Sequence, residues 1–323
     1  MSPLRKLSPT EFGVVRGLAD GLADQGMALS VLDGVRPGTV LVDDPNRPTS
    51  LMIGAPEGGF GWIYLAGDPK NDGFRTELNG WLFRERGLGE SLGFAFLTCG
   101  SDAWKDVLPE VLAPRTVIPD RRLHYACTTT PGPWRDTVPP GYRIEDVDRA
   151  LLDSDVEIHS PVSDWLTANF GSAEQFLEHG VGAVAVHEGR TVAWILADSF
   201  VGGLCDIGGE TEEAHRRNGL AYAATCRTIE LAFERGVERI GWHCHAINLP
   251  SIRTAEKAGF EFRREYFVYP IYFDPEKHEG LVPVIAGEYR EAAEAALTRG
   301  DRAEADRLRA LLLGFADPTQ ARR

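Results

Sequence analysis

Residues 210–221 read ETEEAHRRNGLA. The apolar, glycine-containing run LCDIGGE leads into them as a strand would. Behind them Tyr222, Cys226, Ile229 and Phe233 recur at helical spacing. The segment is therefore expected where a strand ends and a helix begins, the helix running from about Ala214 to Arg235 and closing at Gly236. Its first turn would hold Arg216, Asn218, Gly219 and Ala221. Free backbone amides and the positive dipole end at a helix start attract anions. Gly219 and Ala221 lack the bulk that would keep a phosphate away, and Arg216 and Arg217 add charge-assisted donors. The same features also describe a plain cap carrying solvated charges.

Outward from this segment, GAVAVHEGR and TVAWILADSF read as two strands joined by a turn at His187–Arg190, with LCDIGGET as a third. RIGWHCHA is a further strand, followed by a short helix with Pro250 in its first turn and Gly259 past its end. FEFRREYFVYPIYF closes the series. The first half repeats the order: GTVLVDD, TSLMIGA and FGWIYLAGD as strands, a helix from about Asp72 to Arg86 ending at Gly87, FAFLTCG as strand, AWKDVLPEVL as helix and LHYACTT as strand. Cys99 matches Cys244, and Asp68 matches Thr211, at nearly constant offset, which is the mark of an internal duplication. TTTPGPWRDTVPPG (128–141) holds four prolines and two glycines and reads as a linker. Four units follow: 1–127, the linker 128–141, 142–275, and a C-terminal extension 276–323. Within the extension, 284–313 reads as a helical hairpin hinged at Gly300-Asp301, packed on the body or on a second copy of the chain in a homodimer.

The chain has 323 residues, 43% hydrophobic and 25% charged, with a net charge of −14. That length suits about two domains. No run reaches the ~18–20 apolar residues of a membrane helix, and MSPLRKLSPTEFG has no apolar core of the kind a signal peptide needs. The acidic surface and the lack of a long basic run argue against nucleic acid and anionic membrane as partners. Five scattered cysteines without a CxxC suit a reducing, cytoplasmic setting and give neither a zinc ribbon nor a redox pair. No metal is expected: His243 and His245 form an H-x-H pair that lacks a third ligand at telling spacing.

Arg216-x-x-Gly219-x-Ala221 resembles the R/Q-x-x-G-x-G/A signature of the GCN5-related N-acetyltransferase (GNAT) superfamily. NLPSIRTAEKAGF (248–260) resembles the family's second signature, an Asn followed by a helix ending in Lys-x-Gly-Phe. The likeness covers roughly residues 141–273. The combined pattern looks nearest to the branch resembling the zwittermicin A resistance acetyltransferase, in which a degenerate half precedes the active one. The first half here has no R-x-x-G-x-G/A, its counterpart helix opening DGFRTELNG.

The resemblance implies an α/β fold of tandem GNAT-like domains, each a mixed, splayed sheet flanked by helices. The first half is degenerate, serving as scaffold or acceptor wall, and one acyl-CoA site lies in the second. It implies acetyl-CoA as cosubstrate and a primary amine of a small molecule, antibiotic-like in character, as acceptor. Arg216, Arg217, Asn218, Gly219, Leu220 and Ala221 would hold the pyrophosphate. Thr211 would pair with pantetheine amides. Asn248 would face the pantetheine arm, with Ser251 on the next helix. Two alternatives keep the fold: an acyl donor on a carrier protein, and a non-catalytic CoA-binding module.

An amine reaches an enzyme mostly as ammonium, with a pKa near ~10, and must lose a proton before attacking a thioester. Candidate bases are Asp206, Glu210, His243 and His245, with Glu210, beside the expected splay, the first choice. Asp206 and Glu210 share a strand face unless a bulge intervenes, about 13 Å apart, too far for a paired dyad. Ala255 occupies the position where many relatives carry a tyrosine acid, which leaves Tyr266 as a candidate. Cys244 is a poor nucleophile because its strand neighbours point away from it.

Overall fold

The computed structural model describes residues 4–57, 60–83 and 92–316. The described strands are β1 (Arg5–Lys6), β2 (Thr39–Val42), β3 (Ser50–Glu57), β4 (Phe60–Gly67), β5 (Phe94–Cys99), β6 (Asp120–Cys127), β7 (Tyr142–Asp146), β8 (Gly182–His187), β9 (Arg190–Val201), β10 (Leu204–Thr211), β11 (Arg239–His245) and β12 (Glu261–Tyr272). The helices are α1 (Gly26–Leu32), α2 (Asp72–Phe83), α3 (Leu108–Leu112), α4 (Arg149–Leu152), α5 (Ser160–Phe170), α6 (Ala173–His179), α7 (Leu220–Glu234), α8 (Leu249–Lys257), α9 (Pro275–Thr298) and α10 (Arg302–Ala316).

All twelve strands join one sheet in the order β1-β2-β3-β4-β5-β12-β6-β11-β10-β9-β8-β7. Counted inward from the two edges, the strands of the halves match one for one, so the fold is a tandem of two similar α/β units. Their last strands are exchanged. β6 of the first half pairs with β11 of the second, β12 of the second pairs with β5 of the first, and the exchanged strands pair with each other at the centre. The exchange reaches into the cores. Leu123, Tyr125 and Cys127 of β6 pack with Ile229 of α7 and Phe260 in the second half, while Tyr269 and Ile271 of β12 pack with Phe74 and Trp104 in the first. Burying such a side chain stabilises by roughly 1.5–3 kcal/mol, so neither half keeps its core without the other's strand.

Glu188 and Gly189 adopt positive φ (49° and 80°) and make the tight turn between β8 and β9. Cys226 and Ile229 of the α7 stripe are fully buried, and Tyr222 and Phe233 pack half-buried against the same core. The segment 128–141 is tied down by Trp134, which is buried and donates to Glu230 Oε1 at 2.9 Å.

Several elements differ from expectation. The helix expected from Ala214 is a single 3-10 turn, Glu213–His215, then a loop, with α7 starting at Leu220. Arg217 (φ 65°) and Gly219 (φ 76°) take left-handed conformations that no α-helix accommodates. AWKDVLPEVL is not one helix but a 3-10 turn at Asp102–Trp104 and the short α3. Pro109 fits only a first turn, since it lacks an N–H and would clash with the preceding turn. The hairpin begins earlier than expected, at Pro275, where the Asp274 side chain caps the helix by accepting from Lys277 N, and Pro283 lies within the helix. It packs on the body: Ile285, Tyr289 and Ala293 of α9 and Leu308 of α10 cluster with Ile118, and Tyr289 Oη donates to Asp120 Oδ1 at 2.9 Å. The expected end of the first-half helix at Arg86 and Gly87 lies outside the described residues.

Candidate active site

β10 and β11 are parallel neighbours, yet they pair only at Leu204–Arg239, Cys205–Ile240 and Asp206–Gly241. Beyond that point β10 keeps its ladder to β9 as far as Thr211, leaving one edge of Ile207–Thr211 free. The equivalent strands of the first half behave differently: β4 and β5 stay paired from Phe60–Phe94 to Leu65–Cys99. The second half is thus opened into a V, and the first is zipped shut. A bulge accompanies the opening. Ser199 opposes Asp206 and Ala197 opposes Ile207, so Asp198 is the extra residue of β9.

The loop at the mouth of the V is suited to an anion. From Arg217 through Tyr222 no backbone amide donates within the described chain, which leaves a run of N–H groups free for a ligand. A side chain built on Gly219 would meet nothing nearer than Thr137 O at 4.0 Å, so the approach is open. Arg216 donates to Thr211 O at 3.1 Å and pairs with Glu210 at 3.4 Å. The Asn218 side chain holds the loop by donating to His215 O. Leu220 is buried as the first residue of α7, and Ala221 follows it. Thr211 Oγ1 is buried without a partner. Asn248 caps α8 by accepting from Ser251 N, and Ser251 Oγ accepts from Trp242 Nε1.

Behind the apex of the V lies a cavity of about 290 Å³ between the halves. The second half contributes Trp165, Asp198, Asp206, Ile207, Gly208, Gly209, His243 and Tyr266. The first half contributes Gln25, Gly26, Met27, Glu57, Phe60, Trp62, Tyr64, Phe96 and Arg122. Asp206 is 4% exposed and sits in a slot made by two glycines. Gly26 N donates to its Oδ2 at 2.8 Å, and a Cβ on Gly241 would lie 2.0 Å from its Oδ1. Oδ1 has no hydrogen-bond partner, and neither does His243 Nε2, 3.7 Å away.

His243 is held from two sides. Its Nδ1 lies 2.9 Å from Tyr266 Oη, and its ring stacks on His124 with centroids 4.5 Å apart and planes within 6°. His124 Nδ1 stands 3.2 Å from Asp24 Oδ2, and Arg264 donates to Asp24 Oδ1 at 2.8 Å. Burial works to raise the Asp24 carboxyl, but the bonds from His124 and Arg264 outweigh it and hold it well below its ordinary value. Burial lowers His124 and so favours the neutral imidazole. Burial pushes the Tyr266 hydroxyl up to about 12. Asp198 and Glu57 are both raised, first by burial, and in Asp198 also by the neighbouring Glu57 and Asp206 carboxylates.

The structure brings His243, Tyr266 and Asp206 together at the cavity. Glu210 stands apart from them, with its side chain 60% exposed and ion-paired to Arg216. His245 pairs with Asp120 at 2.9 Å and is not among the lining residues. Ala255 is fully buried in α8. Cys244 is buried as well, and burial raises its thiol, which disfavours the thiolate. Sequence reasoning passed over Asp24, Gly26, Glu57, Trp62, Arg122, His124, Trp165 and Asp198, which carry no local motif and meet only through the exchanged strands. Among the described residues no group of three or more His, Cys, Asp or Glu could hold a metal ion, and no helix is long and apolar enough to cross a membrane.

A family model described as GNAT acetyltransferase matches residues 18–269. No curated protein matches the chain. Among solved structures, a GCN5-related N-acetyltransferase-like protein from Streptococcus suis superposes with a TM-score of 0.62 at 24% identity, over 80% of this chain and 98% of that one. A GCN5-related N-acetyltransferase from Sphaerobacter thermophilus gives 0.54 at 16% identity, over 84% and 96%. A tandem GNAT protein from the clavulanic acid biosynthesis pathway gives 0.53 at 14% identity, over 84% and 99%, and shares the tandem fold. With the model spanning well over half of its residues, the chain belongs to the GNAT acetyltransferase family and is an N-acetyltransferase by that membership.

Proposed function

We propose that the protein transfers an acetyl group from acetyl-CoA to a primary amine of a small molecule bound in the cavity between the halves. The observation that carries this reading is the loss of β10–β11 pairing beyond Asp206–Gly241, which opens a slot from the anion-suited loop to the cavity. The free amides of Arg217–Tyr222, with Arg216 and Arg217, suit the pyrophosphate. The free edge of Ile207–Thr211 suits the amides of the pantetheine arm. The active unit is then residues 142–275 completed by β6 from the first half. Residues 1–127 form the acceptor wall, 128–141 the linker and 276–323 the extension. The likeness to the zwittermicin A resistance branch supports an amine-bearing, antibiotic-like acceptor. The five free thiols support a cytoplasmic setting.

In this reading His243 Nε2 takes the proton from the acceptor ammonium beside Asp206 Oδ1. The freed amine attacks the thioester carbonyl, the C–N bond forms, and the C–S bond breaks. As the amide forms the nitrogen sheds its second proton, so two protons leave it in all: one passes through His243 to the departing thiolate and the other goes to solvent. Much of the rate comes from holding amine and thioester in contact, and main-chain amides along the free β10 edge polarise the carbonyl. Glu210, engaged by Arg216 at the mouth of the slot, keeps that arginine in place.

The test is calorimetric titration of acetyl-CoA and desulfo-CoA into wild type and Gly219→Trp, with both proteins confirmed folded, followed by thiol release across an amine panel. Binding by wild type that is lost in the variant is the expected result. A wild type that binds no CoA species, or a variant that binds as well as wild type, overturns the reading.

A further inference from the structure

We infer that the acceptor is a small dication: besides the amine that reacts beside His243, it carries a second cationic group held between Glu57 and Asp198. The inference rests on the acyltransferase reading only for the identity of the reacting end.

The two carboxylates come from opposite halves, Glu57 from the end of β3 and Asp198 from the bulge of β9, and both line the cavity. No described side chain pairs with either of them in a salt bridge. The nearby guanidiniums are occupied elsewhere. Arg36 donates to the main-chain oxygens of Asp198 and Pro56, at 3.2 and 2.8 Å. Arg122 lies over the rings of Trp62 and Phe96 and donates to His243 O. Glu57 accepts from Trp62 Nε1 at 3.1 Å and has the Asn169 amide beside it, and the Asp198 side chain accepts no hydrogen bond from a described residue. Enclosed carboxylates are costly to keep, and the charges of Arg36 and Arg122, which act on both from nearby without an ion pair, do not offset the burial. Here both are raised by burial, and the Asp198 value is lifted further by Glu57. A cation placed between them would reverse that repulsion.

Two further observations point to a ligand. Asp206, 4% exposed, lines the same cavity with its Oδ1 partnerless, so a third carboxylate there has an unmet acceptor. The walls beside Glu57 and Asp198 are aromatic. Trp62 adjoins Glu57, and Trp165 lies over Gly208, with its Cη2 and Asp198 Oδ2 both within 3.2 Å of where a Cβ would stand. Aromatic faces next to carboxylates favour an organic cation over a neutral polar group. At about 290 Å³ the space is at the small end for ligand sites, which limits the acceptor to a compact molecule.

The test needs no acyl donor, so its outcome stands apart from that of the acetyl-CoA experiment. Linear diamines from diaminopropane to diaminohexane are titrated calorimetrically into the full chain, each against the aminoalkane of the same length. The expected result is that at least one diamine binds about tenfold or more tighter than its monoamine. In Asp198→Asn and Glu57→Gln, both near-isosteric and checked for folding by circular dichroism, this advantage collapses while monoamine affinity holds. Equal affinity of diamine and monoamine in wild type, absence of binding by both, or an advantage that survives in both variants overturns the inference.

Discussion

Asp206 Oδ1 and His243 Nε2 face each other across 3.7 Å at the apex of the opened sheet, both buried and neither hydrogen-bonded. In the proposed reaction the acceptor ammonium comes to this pair, donating to the carboxylate while giving up a proton to the imidazole. His243→Gln keeps the volume and removes the base. General-base removal costs about 10²–10⁴-fold, so kcat is expected to fall by that order while acetyl-CoA affinity holds. Steady-state rates and calorimetry on the same preparation check this. A variant within about threefold of wild type would exclude His243 as the base.

The first half reaches this pair through Gly26. A Cβ there would lie 2.1 Å from Ser199 Oγ and 2.5 Å from Asp206 Oδ2, so Gly26→Ala must push the carboxylate out of its slot. Overpacking of this kind costs roughly 1–3 kcal/mol. The expected result is a folded protein that melts earlier, binds acetyl-CoA normally and turns over slowly. Gly241→Ala, which presses on Oδ1 from the other side, is expected to do the same. Unchanged turnover in both variants would mean that the position of Asp206 is immaterial.

The contrast between zipped β4–β5 and opened β10–β11 predicts a stoichiometry. In the proposed reading the pantetheine arm pairs along a free strand edge, and β4 of the first half offers none at the equivalent place. One acyl-CoA per chain is expected by calorimetry. Two sites of similar affinity would contradict it.

Buried carboxyls of opposite shift give the protein a pH signature. Asp24 is lower in the folded state than its unfolded value of about 3.9, so its stabilisation is present above that pH and lost as pH falls. Asp198 and Glu57 are raised, so the folded state binds more protons, and stability declines as pH rises from about 4 through their folded values. Asp198→Asn removes part of that decline. Thermal melts from pH 5 to pH 8 are expected to show a smaller drop in Tm for the variant, and a higher Tm than wild type at pH 8. A Tm lower than wild type across the range would show that the carboxyl is stabilising.

What was legible in the sequence was local. The anion-suited loop could be read because Arg216 and Gly219 stand beside a strand end, and the tandem could be read because each half repeats one order of strands and helices. The point where α7 starts was missed, since only the left-handed conformations of Arg217 and Gly219 show that the helix waits until Leu220. The strand exchange was invisible for a different reason. β6 and β12 are equally apolar, and nothing in LHYACTT says which half's last paired strand it will meet. The cavity inherits that blindness: Gly26 and Asp206, or Glu57 and Asp198, are joined only by the exchange and by a bulge in β9.

Tyr266 supplies the last prediction. Its hydroxyl lies 2.9 Å from His243 Nδ1, and with burial pushing it up to about 12 it keeps its proton throughout the neutral range. For His243 Nε2 to accept a proton, Nδ1 must carry the ring hydrogen and donate it to the tyrosine oxygen. Tyr266→Phe deletes that acceptor and leaves a buried N–H unmet, at a cost of about 1–3 kcal/mol. The ring then gains by placing its hydrogen on Nε2, against Asp206, which is the unreactive tautomer. The expected outcome is a fall in kcat of about ten- to a hundredfold, the rate equivalent of that cost, with the KM for acetyl-CoA retained and the acid limb of the pH–rate profile displaced. Steady-state kinetics from pH 5 to pH 9 would read both effects. A variant with wild-type kcat and an unmoved profile would show that the hydroxyl merely fills space behind the imidazole.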